Sequence, residues 1–330
     1  MMLRVGIVGA GFMGAYHTAG WSKTPVELVG FHSLNQGQID QLIAQYGGRT
    51  FATLDALLDA VDVVDICTPT HLHYEMVLQA AAKGKHIVCE KPLARTAEQG
   101  EALVAACRQA GVTLLVAHVV RFFPEYAQAK AIVERGEIGR VGVVRLKRVS
   151  FQPKRAEDNW FLDVAKSGGM MLDLMIHDLD YARWVAGEVE SVFAKSVRSA
   201  RPGAPGDYAL AILHHRDGAL SHVEGGWAYP PPMFRTSLEI AGDGGLIEHP
   251  AGSSTALSVH LMAREEGGAP DIAVPRSPLL EDPYVVEIKH FYEVLAHGVT
   301  PRVSAEDGLA ALKLALAAIE SAQTGQPVTL

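Results

Sequence analysis

The sequence predicts an α/β protein in two domains, a parallel-sheet half followed by a half built on mostly antiparallel strands. Three observations predict it. Up to about Ala117, strand-length apolar runs alternate with helix-length amphipathic ones. Further on, strand-like runs follow one another across short polar or glycine-rich turns. The 330-residue chain, 48% hydrophobic and 20% charged, is also too long for one small core and rich enough in apolar residues for two.

The first half reads as follows. Leu3 to Val8 is a short apolar run ended by glycines, and a helix follows from about Met13, broken by Pro25. Glu27 to His32 is a second strand, and Ile39 to Tyr46 a helix stopped by Gly47-Gly48. Leu54 to Ala60 is a short helix with Thr53 as its N-cap, and Val61 to Thr68 is a buried strand ended by Pro69. Helix Tyr74 to Lys83 stops at Gly84, strand His86 to Cys89 follows, helix Thr96 to Ala110 stops at Gly111, and Val112 to Ala117 closes the set. Strands separated by helix-sized segments imply a parallel sheet with right-handed crossovers.

In the second half, a helix from Pro124 leads into a long strand, Val141 to Phe151, and a glycine-opened helix spans Met170 to Ala186. Strand-like runs follow at Val189 to Val197, Tyr208 to His215, Ala219 to Trp227, Thr236 to Ala241 and Leu257 to Met262. Helices near Tyr284 to His297 and Ala305 to Gln323 end the chain. The expected domains are residues 1–120, binding a cofactor, and 121–330, serving substrate and oligomer contacts; the helix at about 305–323 is a candidate to pack back on the first.

Bulk properties exclude several classes. The net charge of -8 and the lack of a basic run argue against nucleic acid. Arg145, Lys147 and Arg148 read as one solvated strand face. No apolar run reaches the roughly 18–20 residues of a membrane span, and the N-terminus enters a strand pattern without a signal-peptide pattern. Cys67, Cys89 and Cys107 have no metal-type spacing, which predicts free thiols, no metal and a cytoplasmic location.

Gly9-Ala10-Gly11-Phe12-Met13-Gly14 fits G-x-G-x-x-G between a strand and a helix. In that context Gly9 makes the tight turn, Gly11 lets a diphosphate approach the backbone, and Gly14 lets helix and strand pack closely. The helix N-terminus adds free N–H groups and a partial positive charge. The first domain is thus predicted to be a Rossmann domain for a nicotinamide dinucleotide. An acidic residue after the second strand would select NAD; here Ser33, or else His32, stands at that place, and no arginine follows at once. The choice between NAD and NADP stays open, with a slight lean to NADP.

Further motifs extend the pattern. Thr68-Pro69-Thr70-His71-Leu72-His73 ends one strand, Cys89-Glu90-Lys91-Pro92-Leu93 ends the next, and Ser167-Gly168-Gly169 leads to Asp173 and His177. With Arg121-Phe122, Pro124, the Gly136-Glu137-Ile138-Gly139 turn and Ser304-Ala305-Glu306-Asp307-Gly308, nearly the whole chain resembles the Gfo/Idh/MocA family of glucose–fructose oxidoreductases and inositol dehydrogenases. The resemblance implies a C-terminal α/β domain with a large, mostly antiparallel sheet. It puts Lys91 beside nicotinamide and the reacting hydroxyl, makes His177 the acid/base with Asp173, and gives Lys91-Pro92 as a cis bond. It also implies that Thr68, Pro69, His73 and Glu90 line the cofactor, with Gly9, Gly11, Phe12, Met13, Gly14 and Ser33. The sequence departs from the family in Ser33 and in Gly-Gly-Met where many members have three glycines.

The chemistry is consistent with these residues. Alcohol oxidation needs a base near neutral pKa and a group that steadies the developing alkoxide; histidine and lysine supply them. Asp173 and His177 share a helix face among apolar neighbours. A buried His–Asp pair that only ties core elements together is the competing reading, and a zinc site needs ligands from elsewhere. Arg155, Asn159 and Trp160 precede that helix and are weaker substrate candidates. The expected function is an NAD(P)-dependent dehydrogenase or reductase for a secondary hydroxyl of a sugar, polyol or inositol-like ring. Alternatives are a non-catalytic nicotinamide-binding sensor and a glycosidase with transient redox use of bound NAD. A homodimer or homotetramer is expected by analogy.

Overall fold

A computed structural model of the chain describes residues 2–154, 159–198, 207–249 and 281–330. Arg155 and the strand expected at Leu257 to Met262 lie outside the described residues. The chain divides into two compact units, Met1–Phe122 with Ser277–Ala310, and Phe123–Arg276 with Ala311–Leu330.

The first unit holds β1 (Arg4–Val8), β2 (Glu27–His32), β3 (Arg49–Thr50), β4 (Val63–Ile66), β5 (His86–Glu90) and β6 (Leu114–Ala117). They form one parallel sheet in the order β3-β2-β1-β4-β5-β6. Every residue of β4 and β6 is buried, as a sheet covered on both faces requires. The crossovers are α1 (Phe12–Trp21), α2 (Gln36–Tyr46), α3 (Leu54–Ala60), α4 (His73–Ala82) and α5 (Ala97–Ala110). Their ends follow the sequence signals: Thr53 accepts the Ala56 N–H, Thr96 accepts the Gln99 N–H, and Gly111 ends α5 in the left-handed region. The chain moves outward from β1 to β3, then returns to start β4 beside β1. That reversal leaves a crevice at the carboxyl ends of β1 and β4.

Residues 281–310 pack on this unit. They carry α9 (Pro283–His297), started by an Asp282 cap and a proline in its first turn. Gly20 on α1 leaves room for α9: a Cβ there would meet Ile288 Cβ at 2.7 Å. The Tyr16 and Tyr284 rings meet at 5.1 Å. Arg121, fully buried, donates to the Arg302 carbonyl and lies 3.3 Å from Asp307, which shares a capping box with Ser304.

The second unit has α6 (Pro124–Glu134), β7 (Val141–Ser150), α7 (Val164–Ser167), α8 (Ile176–Ala186), β8 (Val189–Arg198), β9 (Asp207–His215), β10 (Leu220–Gly226), β11 (Phe234–Gly242), β12 (Leu246–His249) and β13 (Val328–Thr329). The sheet order is β12-β11-β7-β10-β9-β8-β13. Its pairs are antiparallel except β10 with β7, so a meander of β8, β9 and β10 is joined edgewise to an earlier strand. The last helix, α10 (Ala305–Thr324), begins in the first unit and ends in the second.

One expectation is corrected. Arg145 and Lys147 point outward from β7, to Glu239 and Glu224, but Arg148 does not share their face. It is buried, with its Nε donating to Asp178 at 2.6 Å and its ring-side neighbour Tyr126 at hand. Side chains alternate along a strand, so 145 and 147 share a face and 148 takes the other.

Candidate active site

The carboxyl ends of four adjacent strands carry the cofactor candidates in sheet order. Ser33 follows β2, the glycine loop follows β1, Thr68 and Pro69 follow β4, and Glu90-Lys91-Pro92 ends β5. Three strand spacings of about 4.8 Å make this row about 14 Å long, which suits an extended dinucleotide.

The loop is shaped for a diphosphate. Gly9, at φ +92°, sits against the backbone of Cys67, and a Cβ on it would come within 2.7 Å of the Cys67 carbonyl oxygen. A Cβ on Gly14 would run into the Gly9 carbonyl oxygen. A Cβ on Gly11 would meet nothing within 4 Å. So Gly9 and Gly14 are demanded by the fold, while Gly11 keeps open the space over the start of α1. No side chain caps that start and no acid lies in its first turn. Free N–H groups beside open space fit an anionic diphosphate. Phe12 and Met13, half-buried, form the first turn. Ser33 is half-buried, its hydroxyl 3.5 Å from the Asn35 N–H, and Leu34 beside it is fully exposed.

His73 is fully buried, its Nδ1 2.9 Å from the Pro92 carbonyl and its Nε2 2.9 Å from the Thr68 carbonyl. It thus ties the loop after β4 to the turn after β5. Burial pushes its pKa below the usual value against the pull of the two carbonyls. At neutral pH one ring N–H therefore serves one carbonyl at a time. Lys91-Pro92 is cis, as the resemblance implies, and Lys91 is half-buried.

A buried polar cluster lies behind Lys91, and the sequence reading did not find it. The Lys91 N–H donates to Glu90 Oε2 at 3.1 Å. Glu90 Oε1 is 3.2 Å from His17 Nε2, whose Nδ1 is 2.9 Å from Asp65 Oδ2. Trp21 Nε1 also donates to Asp65 at 2.7 Å, and the Cys67 sulfur lies 3.4 Å from both His17 and Asp65. Burial pushes the His17 pKa down, but Asp65 and Cys67 outweigh it and hold the imidazolium well above its usual range. Burial pushes Glu90 up, and His17, together with Lys91 and His73, more than reverses this. The donors of His17, Asp65 and Cys67 are close enough for a metal. Burial and Asp65 keep the Cys67 thiol protonated, however, and Asp65 is filled by N–H donors, so the set reads as a hydrogen-bond cluster.

In the second unit, Gly168 and Gly169 both take positive φ, +84° and +79°, and the Ser167 hydroxyl accepts the Gly169 N–H. This turn opens a π-helical turn, Met171–Met175, ahead of α8, where a continuous α-helix was expected. Such insertions recur at functional sites. The wider turn keeps Asp173 and His177 on nearby faces, since four residues make almost one π turn. Asp173 is buried and His177 half-buried. Asn159 donates to the Pro153 carbonyl at 2.8 Å and Trp160 stacks on Phe161. Among the described residues Asn159 Oδ1 and Trp160 Nε1 have no hydrogen-bond partner. Lys91 belongs to the first unit and Asp173, His177, Asn159 and Trp160 to the second.

Residues 3–118 match a family described as oxidoreductases with an NAD-binding Rossmann fold, and residues 126–248 match the GFO/IDH/MocA C-terminal domain. The chain is 30% identical to a D-xylose 1-dehydrogenase (NADP(+)) of Haloferax volcanii, over 85% of this chain and 84% of that one. It is 29% identical to scyllo-inositol 2-dehydrogenase (NAD(+)) of Bacillus subtilis, over 99% and 96%. A solved levoglucosan dehydrogenase, in complex with NADH and levoglucosan, has a TM-score of 0.83 at 26% identity, covering 100% of this chain and 98% of that one.

Proposed function

The chain belongs to the Gfo/Idh/MocA family of NAD-binding oxidoreductases, and on that premise we propose that it interconverts a secondary hydroxyl and a ketone on a sugar, polyol or inositol-like substrate. The observation that carries this reading is the row of strand ends. Gly11 leaves room for a diphosphate at one strand end, and Lys91 stands at the end of a neighbouring but one strand of the same sheet.

A bound nicotinamide supplies hydride exchange. The rest falls to the chain. Lys91 donates from its ammonium to the hydroxyl oxygen and steadies negative charge as the proton leaves. His177 takes that proton, with Asp173 orienting the imidazole. Asn159 and Trp160 supply contacts to other substrate groups. Relatives named for scyllo-inositol, D-xylose and levoglucosan support the substrate class.

The test is a screen of myo-inositol, scyllo-inositol, D-xylose and levoglucosan with NAD and NADP, followed at 340 nm. Steady formation of reduced cofactor is expected. His177→Ala and Lys91→Ala should each lower kcat by about 10²–10⁴. Tight NADH binding with no turnover would favour the sensor, and undiminished turnover in either variant would remove that residue.

In this reading the protein works in the reducing cytoplasm with Cys67, Cys89 and Cys107 as thiols. It pairs as a dimer or tetramer through its second sheet, where Phe193, Ile212 and His222 align in one row across β8, β9 and β10 and Ile212 is exposed. Among the described residues no helix is long and apolar enough to cross a membrane. A monomer in light scattering would overturn the oligomer.

A further inference from the structure

The buried cluster reaches Lys91 by a continuous path. Trp21 and His17 lie on α1, Asp65 on β4 and Glu90 at the end of β5. From Trp21 the contacts run through Asp65, His17 and Glu90 to the Lys91 N–H, at 2.7, 2.9, 3.2 and 3.1 Å. His17 and Asp65 are fully buried and Glu90 nearly so. Glu90 sets one oxygen 3.2 Å from His17 Nε2, an ion-pair contact outside hydrogen-bond geometry, and accepts the Lys91 N–H with the other.

We propose that His17 is a positioning residue for Lys91: it fixes the Glu90 carboxylate, which holds the Lys91 peptide and so sets where the ammonium stands. This rests on the reading of Lys91 as the group that meets the reacting hydroxyl.

A histidine that merely filled the core would need one satisfied nitrogen. This one faces a carboxylate at each nitrogen, on two different strands: Nδ1 hydrogen-bonds Asp65, and Nε2 meets Glu90 as a charge contact that attracts only while the ring is an imidazolium. The ionisable groups around it favour that form. Asp65 on β4 and Glu90 on β5 are the anions, Cys67 after β4 stays a thiol, and Glu287 from α9 stays a neutral acid because burial keeps its proton on. Because both groups are buried, the attraction between the imidazolium and the Glu90 carboxylate is stronger than the same contact would be in water. The same ring sits three residues past Gly14, so α1 carries both the diphosphate end of the site and the support for Lys91.

The test uses the full chain, with hydrogen exchange of the peptide spanning residues 88–94 read with and without NADH. His17→Gln keeps one N–H donor and loses the charge, and His17→Leu removes both donors. The Lys91 amide should exchange at least tenfold faster in His17→Gln and faster again in His17→Leu. Turnover of the best alcohol from the screen should fall at least tenfold in kcat with KM and NADH affinity within threefold of wild type. Asp65→Asn loosens His17 from its other side and should move both readouts the same way, which keeps the test decisive if His17→Leu does not fold. A folded His17→Gln with unchanged Lys91 exchange and unchanged kcat overturns the proposal. Undiminished turnover in Lys91→Ala overturns the underlying reading instead, and the exchange rate still decides whether His17 holds that peptide.

Discussion

Glu287→Gln should make the protein more stable at neutral pH and leave it nearly unchanged in mild acid. Glu287 on α9 is fully buried, and neither carboxyl oxygen has a hydrogen-bond partner among the described residues. Burial raises its pKa most; His17 opposes, and the Glu90 and Asp65 carboxylates add to the rise. In the unfolded chain the group ionises near 4.5, whereas in the folded chain it keeps its proton well above that. Above pH 4.5 the unfolded state therefore binds fewer protons than the folded one, and stability falls as pH rises until the folded-state pKa is passed. The slope is about 1.4 kcal/mol per pH unit, so the loss between pH 5 and pH 7 is at most about 2.7 kcal/mol. Glutamine keeps the size and neutrality of the acid and has no proton to lose. Urea unfolding of both proteins without cofactor, at steps from pH 5 to pH 7, measures the difference. The two stability curves should diverge as pH rises. Parallel curves would refute the claim that Glu287 is buried as a neutral acid.

Three further outcomes follow from packing and charge. Gly11→Ala should fold normally, because its methyl meets nothing, yet bind NADH at least tenfold more weakly by fluorescence titration; Gly14→Ala should lose both binding and thermal stability, because its methyl meets the Gly9 carbonyl. Arg148→Met leaves Asp178 buried without its partner and should cost about 3–5 kcal/mol in chemical unfolding, most of it regained in Arg148→Met with Asp178→Leu. Burial already raises Asp178 more than Arg148 lowers it, so the pair itself adds little net stability. Ser33→Asp should weaken NADPH binding at least tenfold while sparing NADH; equal losses for both would show that Ser33 does not face the adenosine ribose.

The sequence by itself determined whatever is written locally. Three glycines at fixed spacing after a strand specify the diphosphate loop, and strand–helix alternation with its caps at Thr53, Thr96 and Gly111 specifies the parallel sheet. The order of motifs specifies the family, and with it Lys91, Asp173 and His177 as candidates. Only the tertiary structure decided which distant residues share an interior. Nothing in its periodicity brings α9 from residue 283 back to α1, puts Glu287 near His17, or turns Arg148 inward to Asp178. The π-helical turn at Met171–Met175 is also a tertiary outcome, since its residues have ordinary helical preference. Period and propensity record each residue's neighbours along the chain. The fate of a buried charge depends on partners from other strands and helices, and those meet only when the chain has folded.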